Sequence, residues 1–284
     1  MIFGANTLTV LAGCALFGAL AGAVGTFVLA RRRALVADVA GHATLPGVCL
    51  AFLAGEAWGI GGRTPWLLLL GGAVTALIAA CCVPALARLR RVGSDGATAV
   101  SLAFFFGLGA VLISVVQSHE SGAQGGLRKL LFGSAAAMNS DDVTTLIVLT
   151  LATLIALSVF FKEFALLSFD ESYARVSGLP VRNLDLVLTV LLVATVVAGL
   201  QVAGIVLVVA MVLTPAAAAR QLRGSLTRVT VMASIIGAAS AAGGVMVSSM
   251  FERVPTGSAM TLVATLVLLI AMALPLRARL AVGA

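Results

Sequence analysis

Runs of about twenty apolar residues recur along this chain, separated by short stretches that hold most of its charge. As a helix rising 1.5 Å per residue, one such run crosses the ~30 Å hydrocarbon core of a bilayer. The runs are continuous rather than alternating, which excludes a membrane β-barrel. Composition agrees: 61% of the 284 residues are hydrophobic and 10% charged, against about half and about a quarter in a soluble domain. The expectation is an all-α, polytopic membrane protein forming a single domain over residues 1–284.

The placement of charge sets the order of the runs. The only lysines are Lys129 and Lys162; the other basic residues are arginines, grouped at Arg31–Arg33, at Arg88, Arg90 and Arg91, across Lys162, Arg175 and Arg182, at Arg220, Arg223 and Arg228, and at Arg277 and Arg279. Arg63, Arg128, Lys129 and Arg253 fall at the junctions between those groups. Basic residues favour the cytoplasmic side, so this alternation predicts nine crossings, with the N-terminus outside and the C-terminus in the cytoplasm. The spans run over roughly 7–30, 34–54, 65–86, 97–117, 143–161, 184–200, 202–219, 229–250 and 257–276. The second and sixth are the weakest, which leaves eight crossings open. A net charge of +7 could suggest nucleic acid, but arginines in small groups between apolar runs are explained by membrane topology instead. No basic residue precedes the first run, and Arg31–Arg33 follow it, which predicts a retained span rather than a cleaved signal.

Cys14, Cys49, Cys81 and Cys82 all lie within apolar runs at spacings that fit neither a disulfide framework nor a zinc site. They are expected to be packing residues. Small residues such as Gly18, Gly22 and the stretch "GAASAAGG" (237–244) let helix backbones approach closely in lipid. Packing inside the bundle is the expected use, with a dimer seam as the alternative.

The segment "LVADVAGHATLPG" (35–47) stands out. Asp38 and His42, at i and i+4, share one face of a helix, and a carboxylate with an imidazole at that spacing can hold one divalent ion. An aspartate inside a membrane is costly unless it is paired or faces water. The other reading pairs Asp38 with Arg31–Arg33 and leaves His42 to pack. Pro46 removes a helical hydrogen bond, so a broken second span is expected, as in transporters whose interrupted helices line the substrate path. Cys49 is expected to pack.

Residues 161–183, "FKEFALLSFDESYARVSGLPVRN", form a long mixed-polarity stretch with a short amphipathic helix stopped at Gly178-Leu179-Pro180. Such a helix lies on lipid or docks into a partner protein. Asn183 and Asp185 read as the capped first turn of the next span. His119 and Glu120 belong to a solvated loop, residues 127–142 suit an interfacial or re-entrant helix, and Asp141 and Asp142 open the fifth span. No P-loop, GxSxG, HExxH or kinase signature is present. The chain is not expected to be an enzyme, and ATP-driven transport would need a separate subunit.

Three stretches together resemble the permease subunits of ATP-binding cassette importers for manganese, zinc or iron. "RRRALVADVAGHATLPGVCLAFL" (31–53) resembles the family's segment with an acidic residue four before a histidine, then Leu-Pro-Gly. "LRKLLFGSAAAM" (127–138) resembles its Leu-Phe-Gly-Ser segment. "FALLSFDESYARVSGLPV" (164–181), with "VAGIVLVVAMVLTPAAAARQL" (202–222), resembles its coupling segment and the span after next. Ala37 and Gly41 depart from the Gly or Ser often found beside the acid and the histidine.

The resemblance implies a type II importer permease, similar in fold to cobalamin and siderophore permeases. It implies a prokaryotic inner-membrane location, a second permease protomer (a homodimer), two cytoplasmic ATPase subunits and an external metal-binding protein. Asp38 and His42 would contact the transported Mn²⁺ or Zn²⁺, with no cofactor bound permanently. A coupling helix would use Phe169, Asp170, Glu171, Tyr173, Ala174, Arg175 and Gly178 against the ATPase. Two alternatives stay open: a permease for metal chelates, and a secondary transporter or channel that works without ATP.

Overall fold

The computed structural model describes residues 5–59, 64–89, 91–118, 140–222, 224–251 and 254–282. Among them are eleven α-helices and no strand: α1 (Ala5–Ala30), α2 (Ala34–Ala57), α3 (Pro65–Ala87), α4 (Gly93–Gln117), α5 (Ser140–Val159), α6 (Phe161–Phe169), α7 (Glu171–Val176), α8 (Val181–Val202), α9 (Ile205–Gln221), α10 (Leu226–Met250) and α11 (Thr256–Val282). Every expected apolar run becomes a helix. Seven of these (α1–α4, α8, α10 and α11) are long and apolar enough to cross a bilayer, and α5 with α6 makes an eighth, bent by 63° at their junction.

The expected weak spans were the second and sixth, yet α2 and α8 are both of full length. The short one is α9, with 17 residues. Gly204, at φ 82°, adopts a backbone conformation that most side chains resist, and it delays the start of α9 to Ile205. α9 still runs between the same two ends of the bundle. Ala203 abuts Gly257 at the start of α11, while Arg220 lines a small cavity with Ala30, Ser168 and Phe169. That second end also gathers Arg33, Arg88, Arg175 and Arg182 around another cavity, and is called here the arginine-rich end.

α1 is the central helix. Phe17, Leu20, Val24 and Phe27 are fully buried, and Gly18 and Gly22 let α10 approach within backbone contact at Gly237 and Ala233. These small residues serve packing within the chain, as expected, where dispersion over a close backbone approach substitutes for the missing hydrophobic drive. α2 and α3 form a second seam, in which Gly47 and Gly71 face each other's backbone.

That seam explains the behaviour of Pro46. The expected break does not occur: α2 is continuous from Ala34 to Ala57. Pro46 cannot donate to the His42 carbonyl, but the Thr75 hydroxyl of α3 donates to the Ala43 carbonyl at 2.6 Å, and Thr44 donates to Gly41 at 2.6 Å. Neither bond ends on the His42 carbonyl; both brace the carbonyls around it, in keeping with the use of hydroxyls and a close neighbouring helix to support a membrane helix that contains proline.

Cys14 and Cys49 are buried, as expected for packing residues, and Cys82 is half-buried. Cys81 is exposed instead and lines the arginine-rich cavity, because α3 turns that face away from α2. Residues 119–139, with His119, Glu120 and the Leu-Phe-Gly-Ser segment, lie outside the described residues.

Candidate functional site

α2 leaves the arginine-rich end at Ala34, so Asp38 and His42 sit about 6 and 12 Å along it, in the first half of a membrane crossing. Helical spacing brings them together: Asp38 Oδ1 lies 3.6 Å from His42 Nε2, with the side chains 40% and 28% exposed respectively. That distance is too long for a hydrogen bond. It is close to the ~3.4 Å between two ligands of one tetrahedral ion bound at about 2.1 Å each. The spacing is compatible with two ligands of one cation, and both side chains are partly exposed. Phe106 of α4 stands edge-on to the His42 ring at 5.4 Å and is itself half exposed, so an apolar wall flanks the pair on one side. No group of three or more His, Cys, Asp or Glu that could hold a metal occurs among the described residues. Two ligands suit transient contact better than storage.

Asp38 does not pair with the nearby arginines, because these are engaged elsewhere. Arg31 Nη1 donates to the Leu167 carbonyl at 2.8 Å and to Glu171 Oε2 at 3.1 Å, and Arg31 Nη2 donates to Asp185 Oδ1 at 3.0 Å. Arg33 Nη2 donates to Asp185 Oδ2 at 2.6 Å. Asp185 is thus a bridging acceptor, not the helix cap expected from sequence; α8 has Pro180 at its N-cap and no side-chain cap. The Arg31 guanidinium is only 10% exposed, and the turn it occupies, with Arg32 at φ 55°, joins α1 to α2. This network ties the corner from which α2 departs to α6, α7 and α8. One signal for it was present in sequence, an aspartate entering an apolar run opposite an arginine triplet, but the partnership spans some 150 residues of chain.

The 161–183 stretch holds two helices, and the expected short helix is the second, α7. α6 carries Phe164 and Leu167 into the core and ends at Phe169, and Asp170 caps α7 by accepting from the Tyr173 backbone N–H at 2.9 Å. α7 stops where the sequence predicts: Gly178 at φ 80° closes the end, Leu179 N–H donating to Ala174 and Gly178 N–H to Arg175. Ala174 is fully buried, whereas Phe169, Tyr173 and Val176 are exposed at 77%, 59% and 88%. Three large apolar side chains therefore face away from the bundle at the arginine-rich end. Arg175 Nη2 donates to Glu171 Oε1 at 2.6 Å. That bond, with further help from Arg31 and against the opposing effect of burial, holds the Glu171 carboxyl below its ordinary range.

A multi-pass bundle with an open acid–histidine pair and an exposed two-helix segment beside it narrows the choice of family, and comparison with known proteins decides it. Residues 5–275 match the ABC 3 transport family. The chain belongs to that family. Among its relatives, the manganese transport system membrane protein MntC of Bacillus subtilis (strain 168) is 39% identical over 267 residues, covering 94% of this chain. This chain spans 60% of the length of that relative. The zinc transport system membrane protein TroC of Treponema pallidum (strain Nichols) is 34% identical over 274 residues, which cover 96% of this chain and 90% of TroC. The solved structure of PsaBC from Streptococcus pneumoniae in complex with Fab superposes with a TM-score of 0.82 at 30% identity, covering 94% of this chain and 91% of that one. The chain is thus a multi-pass membrane protein with an ABC-permease fold.

Proposed function

We propose that this chain is the permease subunit of an ATP-driven importer that carries a divalent metal ion, Mn²⁺ or Zn²⁺, into the cytoplasm of a prokaryote. The observation that carries the reading is the Asp38–His42 pair, spaced for one shared cation and open on its helix face. MntC and TroC, named for manganese and for zinc transport, support the substrate class. Asp38 and His42 act as passing ligands. Water and the same pair from a second protomer complete the shell, since a hard divalent ion prefers about six donors. The arginine-rich end faces the cytoplasm, with the N-terminus outside and the C-terminus inside. Residues 1–284 act as one permease domain without enzymatic activity of their own.

Two ATPase subunits dock against the exposed apolar residues of α6 and α7, and an external metal-binding protein delivers the ion. Within this scheme Asp170, Ala174 and Gly178 shape the docking segment, Glu171 and Arg175 brace it, and Phe169 and Tyr173 make the contact. The Arg31–Asp185–Arg33 bridge then carries displacement of that segment into α2, five residues ahead of Asp38.

The test is metal uptake into vesicles holding the permease with its ATPase and binding protein. Asp38→Ala and His42→Ala are each expected to cut uptake of ⁵⁴Mn or ⁶⁵Zn at least tenfold, about 1.4 kcal/mol or more of the barrier, while both variants assemble normally. Wild-type uptake in either variant overturns the ligand role. Competition among Mn²⁺, Zn²⁺ and Fe²⁺ in the same vesicles identifies the cargo.

A further inference from the structure

Two cavities unused by the metal path lie end to end along the same pair of helices. The first, about 690 Å³, sits at the arginine-rich end between α3 and α8 and is lined by Arg33, Arg88, Arg175 and Arg182 against one carboxylate, Asp185. The second, about 650 Å³, is an almost wholly apolar trough deeper in the membrane, walled by α3, α5 and α8. Their lining residues follow one stripe of each helix. On α3 these are Ala73, Val74, Leu77, Cys81, Ala85 and Arg88, and on α8 they are Arg182, Asp185, Leu186, Thr189, Val193 and Val197. Steps of three and four keep each set on a single helix face. The polar mouth and the apolar trough are therefore two parts of one groove.

From this continuity we infer that the groove binds an anionic phospholipid from the leaflet at the arginine-rich end, its phosphate in the arginine mouth and an acyl chain along the trough. Asp185 is already taken by Arg31 and Arg33, and Arg175 by Glu171. Arg88 and Arg182 form no salt bridge with the described residues, so two guanidiniums face the mouth uncompensated. Basic pockets between membrane helices at the cytoplasmic end attract anionic headgroups in this way. From Arg88 to Ala73 is fifteen residues, or about 22 Å, which exceeds the ~15 Å depth of one leaflet. A chain of leaflet depth that starts at Arg88 therefore ends near Leu77, inside the trough and within the length of the groove. An acidic segment of a cytoplasmic protein would fill the mouth and leave the trough unused, so charge and shape together favour lipid. Only the assignment of the leaflet to the cytoplasmic side rests on the proposed function, and the site itself does not depend on metal transport.

The test uses the full-length chain, alone and with its ATPase, in nanodiscs of phosphatidylcholine and phosphatidylglycerol at 3:1, with retained lipid measured by native mass spectrometry. Phosphatidylglycerol is expected to be enriched over its share in the bilayer. Arg88→Gln with Arg182→Gln is expected to lower that enrichment about tenfold. Arg88→Lys with Arg182→Lys should keep it, and Arg228→Gln, on an exposed arginine outside the groove, should leave it unchanged. In a Cys82→Ala background, phosphatidylglycerol vesicles should slow maleimide labelling of Cys81 and inorganic phosphate should not. Retention of the two lipids in the 3:1 ratio of the bilayer, an undiminished preference in the double glutamine variant, or an equal loss in Arg228→Gln overturns the inference. So does protection of Cys81 by phosphate alone, which would make the site one for a free anion. Complete displacement of the lipid by the ATPase, with weaker ATPase retention in the double glutamine variant, would make it a protein-docking site instead.

Discussion

Asp185→Asn is the most informative single change to this fold, because it removes one charge and almost no volume from the junction between α1, α2 and α8. Asp185 accepts from Arg31 at 3.0 Å and from Arg33 at 2.6 Å, with the three side chains 10–27% exposed. A hydrogen bond to a charged group contributes about 1.5–3 kcal/mol when it is well sheltered. Three factors reduce that here. The asparagine keeps one acceptor oxygen, Arg31 keeps Glu171 and the Leu167 carbonyl, and partial exposure lets water screen what is lost. A net cost of about 2 kcal/mol remains, a lowering of Tm by about 4–8 °C at this chain length.

The comparison that makes this a test of mechanism is Glu171→Gln. Glu171 and Arg175 are 39% and 67% exposed, so their pair has the modest worth of a surface ion pair, about 0.2–1 kcal/mol. Thermal unfolding in detergent should therefore rank Asp185→Asn well below Glu171→Gln and wild type. In vesicles carrying the whole transporter, Asp185→Asn should also lower the metal moved per ATP hydrolysed if, as proposed, the bridge passes α6–α7 displacement into α2. ATPase binding, assigned to Phe169 and Tyr173 in the proposed scheme, should be unaffected. Wild-type Tm together with wild-type uptake per ATP in Asp185→Asn would refute the reasoning, as would a Glu171→Gln variant less stable than Asp185→Asn.

Other expectations follow from single contacts. Adjacent glycines on α10 should behave in opposite ways: a Cβ on Gly244 would run into the Met260 backbone of α11, whereas one on Gly243 meets only Val263 at 3.5 Å. Gly244→Ala should thus unfold at markedly lower temperature, and Gly243→Ala should match or exceed wild type by up to about 1 kcal/mol. Because the Glu171 carboxyl is held below its ordinary value of 4.5, its contribution is present above that value and is lost as pH falls through the lower folded-state value. Hydrogen exchange of residues 167–178 should be protected to the same degree across neutral pH and loosen only below 4.5. Phe169→Ala with Tyr173→Ala should weaken ATPase retention in pull-downs while leaving Tm unchanged, since both side chains are exposed.

What the sequence discloses here is what is local. Apolar runs and their arginine punctuation place nearly every helix, because crossing a bilayer demands length and apolarity within one segment. The Asp38–His42 contact is equally local, one helical turn, and so is the stop at Gly178, where a glycine takes the conformation other residues resist. Apart from the short α9, whose late start at Gly204 is local, the misreadings concern partners distant in sequence. Pro46 suggests a break because its missing hydrogen bond is a local fact, while the support for the neighbouring backbone comes from Thr75 and Gly71 on another helix. Asp185 looked like a cap because Asn183 and a helix start lie beside it, while Arg31 and Arg33 stand at the far end of the chain's order and next to it in space. Cys81 looked like a packing residue until α3 turned its face toward α8. Membrane bundles make this division sharp: apolarity fixes each helix by itself, but which polar residues meet depends on helix rotation, and rotation is set by the glycines of the seams. The charged bridge and the arginine mouth therefore became visible only once Gly18, Gly22, Gly47 and Gly71 had fixed how α1, α2, α3 and α10 turn against one another.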